Sequence, residues 1–124
     1  MKPIVIAFAL LLMGCGSSAP AATFHGVLWL SWTLDGQPAS DATCAGIDHL
    51  VITVESTPTV GVKIAPVVCT DGASWERDDV PDGSDTVVID AVDATDRAAL
   101  ERVSMVGVTK ARPAAPTAID LQPL

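Results

Sequence analysis

Three cysteines, two histidines and a surplus of carboxylates are the residues of this chain equipped to form covalent bonds, bind metal or move protons. Cys15 closes an N-terminal apolar run, a position with a task of its own. Cys44 and Cys69 remain as a pair. In an oxidising compartment two such thiols form a disulfide, and closing the chain between them contributes roughly 3 kcal/mol by loop entropy. A metal site built from Cys44, His49 and Cys69 is the competing reading. A cupredoxin-type copper centre needs two His, a Cys and usually a Met close behind it. No His follows Cys69, and the next Met is Met105.

Nucleophilic catalysis finds little to work with. A Gly-x-Ser-x-Gly elbow is absent, and neither His25 nor His49 has a second His at metal-ligand spacing. Both read as surface or half-buried side chains. Asp78, Asp79, Asp82 and Asp85 are oxygen donors in a cluster, but without EF-hand spacing; they read as solvated turn acids. The expectation is a non-enzyme with no cofactor and no metal. A formal net charge of −8 repels phosphate backbones and disfavours nucleic acid as a partner. The chain has no Asn and so no Asn-linked glycosylation site.

The first fifteen residues are Lys2 as a cationic head, an apolar run from Ile4 to Met13, then Gly14-Cys15. The run is too short to span a bilayer as a helix and has the length of a signal-peptide apolar region. Leu12-Met13-Gly14-Cys15 resembles the lipobox of bacterial lipoproteins. That resemblance implies a diacylglyceryl group on the Cys15 thiol and cleavage ahead of it, leaving Cys15 as an acylated N-terminus. Ordinary secretory cleavage after Ala19-Pro20-Ala21 is the alternative. Gly16, rather than Asp, follows the cysteine and favours the outer membrane if the cell has two membranes. The chain therefore divides into a signal peptide (1–14), a lipidated N-terminus with a Ser/Ala/Pro-rich flexible tether (15–23), and one domain (24–124).

The domain reads as β throughout. From Phe24 to Leu34, Leu28, Leu30, Trp32 and Leu34 fall on one face at period two. Leu50, Ile52 and Val54 alternate likewise, as do Val60, Val62 and Ile64, with Pro66 marking an edge or a bulge. Val87, Ile89 and Ala91 form another inward row, and Ile119 and Leu121 a last one. Asp35-Gly36, Asp71-Gly72 and Asp82-Gly83 supply turns. Residues 94–103 suit a short helical turn capped by Thr95 or Asp96, or a strand; a strand is expected from about Val103. Six to seven strands without a long helix indicate an all-β fold, a single Ig-like or transthyretin-like β-sandwich. Val80-Pro81-Asp82-Gly83-Ser84, leading into a Val-rich strand that ends Ala91-Val92-Asp93, resembles the transthyretin-like, carboxypeptidase-regulatory-like sandwiches. That resemblance implies a structural or binding module.

One segment stands out as a binding loop. Between two Asp-Gly turns lie Trp75, Glu76, Arg77, Asp78 and Asp79. Such a loop projects from a sandwich end, where binding loops are carried, and Trp is a frequent anchor. The competing reading tucks Trp75 beneath the loop, over Val67 and Val87. Function follows as an expectation: a membrane-anchored envelope module, held by the lipid on Cys15, that contacts an envelope protein or glycan. The alternative is an envelope hydrolase whose site has no recognisable motif.

Overall fold

Strict alternation fixes the first strand. Along β1 (Gly26–Leu34) every second residue is buried, and Leu28, Leu30, Trp32 and Leu34 all point into the core. A computed structural model describes residues 24–124; the leader, Cys15 and the tether lie outside the described residues. After β1 come β2 (Gln37–Pro38), β3 (His49–Thr57), β4 (Val60–Val67), β5 (Trp75–Val80), β6 (Gly83–Val92), β7 (Ala98–Val108) and β8 (Thr117–Pro123). They join one sheet in the order β2-β1-β8-β7-β6-β3-β4, with β5 also paired to β1. β1 and β8 run parallel, and the other pairs are antiparallel.

The fold is all-β, and its inward faces share one core. Leu28, Leu30 and Trp32 from β1 belong to the same buried cluster as Leu50, Ile52 and Val54 from β3, Val87 and Ile89 from β6, and Ile119 and Leu121 from β8. The sheet thus covers itself, as in a sandwich-like fold. β7 pairs with β8 only at Leu100 and Glu101, and Thr109 bridges back to Val27. Between those points the sheet turns from one layer to the other.

Local chemistry explains the connections. Asp35 and Gly36 both take positive φ (50° and 81°), the two-residue hairpin turn that matches strand twist. Asp93 shapes the β6–β7 hairpin. Its Oδ1 accepts from the backbone N–H of Thr95 and Arg97 and from the Thr95 hydroxyl. Those bonds hold the Asp93 carboxyl below its ordinary range. They also decide the stretch 94–103, open between a helical turn, a loop and a strand: Asp96 sits at φ 63°, outside the helical region, and β7 begins at Ala98 rather than near Val103. The Cys44–Cys69 disulfide is formed, with Cα atoms 6.0 Å apart. It ties the 39–47 loop to the end of β4. Trp32 binds the same corner: its indole N–H donates to Cys69 O at 2.9 Å and its backbone N–H to Gly72 O at 2.8 Å. Gly72 lies so close to the Trp32 ring that an added Cβ would come within 2.8 Å of it.

Three further expectations change. Residues 75–80, read as a loop, form β5; together with the two-residue β2 this raises the count to eight strands. Val60 is exposed rather than inward, because β4 frays beyond the core at that end. Asp85, read as a solvated turn acid, is fully buried and in phase with Val87. Pro66 does lie in an edge strand, β4, next to a register shift.

Candidate functional site

The outward faces of the two layers differ in what their polar groups have found. On β1 the outward Trp29 is half-buried, and its polar and ring surfaces have partners in its own chain. Its indole N–H donates to Ser74 Oγ at 2.8 Å, and the Arg112 guanidinium lies 3.8 Å from the ring centroid. Arg112 in turn approaches Glu76 at 3.3 Å, and Glu76 stands opposite Trp29 in the β1–β5 register.

The expected binding residues belong to this same layer. Trp75 is half-buried against the core, its ring 6.2 Å from that of Trp32 and inclined at 56°. Arg77 and Asp79 pair with one another at 2.7 Å along the strand. Asp78 is exposed. Trp75, Glu76, Arg77, Asp78 and Asp79 thus make up a charged edge strand rather than a projecting loop. Charges on a free sheet edge discourage strand-to-strand association.

The outward face of β4, β3, β6 and β7 is built differently. Cross-strand register lays its side chains in rows. His49, Val92 and Ala98 form one row; Val51, Asp90 and Glu101 the next; Lys63, Thr53, Val88 and Val103 the third. The Asp93–Arg97 hairpin rises beside the first row. Together they enclose a groove of about 520 Å³ with Val51, Ala65 and Val92 along its floor and Asp90, Asp96, Lys63 and His49 around it. That size suits a small ligand.

Two features of the groove are unsettled without a ligand. Asp90 Oδ1 is shut off from solvent, and no N–H or hydroxyl among the described residues reaches it. A buried acceptor left so costs about 1–3 kcal/mol. Glu101, directly across from Asp90, has its pKa raised above its ordinary value, first by hydrogen bonding to Asp90 and then by the charge of Asp90.

A second cavity, of about 460 Å³, lies beside the disulfide and meets the first at His49. Ile47, Pro66 and Val67 give it apolar walls beside Cys44 and Cys69, and His49 borders both spaces. His49 Nδ1 is 2.8 Å from Asp48 Oδ2. A His–Asp pair orients an imidazole for proton transfer; among the described residues no hydroxyl hydrogen-bonds the His49 ring. His25 is exposed at the opposite end of the domain, far along the register from His49. Among the described residues no three His, Cys, Asp or Glu side chains cluster to hold a metal ion.

No family model, curated protein or solved structure matches this chain. Its function must therefore be argued from the site itself. Sequence reasoning passed over Asp90, Lys63 and Asp96, because nothing along the chain marks them. The signal lay in phase: Asp90 is the outward neighbour of buried Ile89 and Ala91, and Lys63 is the outward neighbour of Ile64.

Proposed function

We propose that this protein is an exported lipoprotein, acylated at Cys15, whose single β-domain binds a ligand in the cell envelope without chemical turnover. The observation that carries the reading is the Cys44–Cys69 disulfide. It accounts for two of the three cysteines, fits an oxidising compartment, and leaves the Cys15 thiol for the lipid that its lipobox resemblance implies.

Topology supports a binding role with a direction. The chain enters the domain at Phe24, beside the Val80 and Thr109 end of β1. His49, the disulfide and the Asp93–Arg97 hairpin lie at the other end, where β3 begins and β6 ends. A tether anchored at Cys15 would hold the Phe24 end toward the membrane and present the groove away from it. Such a face would meet a soluble ligand of the envelope, while the membrane is contacted through the lipid; an envelope protein or glycan would be met by the remaining surface.

Metabolic labelling with a palmitate analogue tests the anchor. The wild-type chain is expected to take up label and to partition with membranes, and the Cys15→Ala variant to lose both. An unlabelled, soluble mature wild-type protein contradicts the anchored reading.

A further inference from the structure

We infer that the groove over β4, β3 and β6 is a site for a small zwitterion, an amino acid or short peptide, with its ammonium on Asp90 and Asp96 and its carboxylate toward Lys63. The inference deepens the proposed binding role and rests on it.

Charge placement is the first argument. The acids stand on the β6 side, Asp90 in the strand and Asp96 on the hairpin after it, whereas Lys63 stands on β4. β3 lies between these strands. Two strand spacings separate the charges by about 10 Å, and one row of register offsets them further. The side chains between are short and mostly apolar, Val51, Ala65 and Val92, with Thr53 beside Lys63. Among the described residues Lys63 forms no ion pair with either acid. A ligand carrying both charges across a compact apolar middle matches this layout. A simple cation would leave Lys63 facing it, and a simple anion would meet the two acids.

The second argument is Asp90 itself. Its Oδ1 is shielded and lacks an N–H or hydroxyl donor among the described residues, and a bound ammonium supplies three. The third argument is rigidity. Asp93 accepts three hydrogen bonds within the hairpin. The backbone that carries Asp96 is therefore braced before any ligand arrives, which lowers the ordering cost of binding.

Isothermal titration of the full mature chain with Ala-Ala tests the inference. Saturable binding is expected at millimolar concentration or below. N-acetyl-Ala-Ala, lacking the ammonium, and Ala-Ala-amide, lacking the carboxylate, are each expected to bind at least about tenfold more weakly, the loss of one charged hydrogen bond. Asp90→Asn and Lys63→Gln should each weaken Ala-Ala by a similar factor while leaving the thermal midpoint near that of wild type. Absence of binding by Ala-Ala and by free amino acids overturns the zwitterion site. So does binding indifferent to either charge or to both variants, a result that would keep the groove as a binding face for another ligand. The labelling of Cys15 is independent of every one of these outcomes.

Discussion

The two outward faces of this domain are made from the same kind of strand, yet one is closed chemically and the other is left open. On β1 and β5, Trp29 has Ser74 for its N–H, Arg112 for its ring face, and Glu76 to balance Arg112. On β3 and β6, Asp90 has a shielded oxygen with no N–H or hydroxyl donor among the described residues, and a second carboxylate, Glu101, stands directly across from it. A large aromatic next to charged residues is the more conspicuous feature in a sequence. The structure shows that such a group can be fully employed holding a surface together. What marks a site ready for a ligand is an unmet hydrogen-bonding requirement inside a concave space.

The largest expected effect lies in the corner that supports the open face. Replacing Cys44 and Cys69 together by Ser should lower stability by roughly 3–4 kcal/mol in the loop-entropy model, measured by urea denaturation. Because the bond ties the 39–47 loop beside His49, the amide signals lining the groove should shift as well. A change below about 0.5 kcal/mol with an unmoved groove would mean that the open face does not depend on this clamp.

Asp85 sharpens what counts as open. It too is a carboxylate without a hydrogen-bond partner among the described residues, but it is wholly enclosed and borders neither cavity. Burial raises its pKa first, and the nearby charge of Asp82 adds to this. The folded chain therefore holds this proton more tightly than the unfolded one. The associated stability is complete below the ordinary value of 3.8 and is lost as pH rises through the folded value. Asp85→Asn removes the ionising group. It should stabilise the protein at pH 7 by about 1–3 kcal/mol and flatten that stretch of the stability–pH curve. A destabilised variant would show that Asp85 has a partner in the full chain and belongs with the open features.

The faces themselves come next. Trp29→Ala should cost about 1–3 kcal/mol, since it removes a hydrogen bond, a cation–π contact and half-buried ring area. Arg112→Ala should cost about 0.5–1 kcal/mol by exposing the ring. Asp90→Asn, on the open face, should stay within about 0.5 kcal/mol of wild type. Equal losses at Trp29 and Asp90 would erase the distinction between the faces.

The core was legible because alternation is a local property. Leu28, Leu30, Leu50, Ile52, Val87 and Ile119 are all buried where period two places them. Asp85 was legible by the same rule, two residues before Val87, but its charge argued for solvent. β5 was not, since Trp-Glu-Arg-Asp-Asp-Val has no apolar alternation and is a strand only because β1 offers it an edge. The stretch 94–103 read equally as helical turn, loop or strand, and one side chain, Asp93, decides it by taking backbone donors for a tight turn. The groove was beyond local reading altogether. Lys63, Thr53 and Val88 become neighbours only through cross-strand register, which no single stretch of chain encodes.

The sharpest test of the two-face account uses the indoles and the groove amides as reporters in a single NMR titration. The full mature chain has three Trp, each with its own indole N–H signal. On addition of Ala-Ala, the account predicts movement of the Val51, Thr53, Asp90 and Ala98 amides while the Trp29, Trp32 and Trp75 indole signals stay in place. Movement of the Trp29 or Trp75 indole with a silent groove would contradict it and return the binding face to the β1–β5 layer.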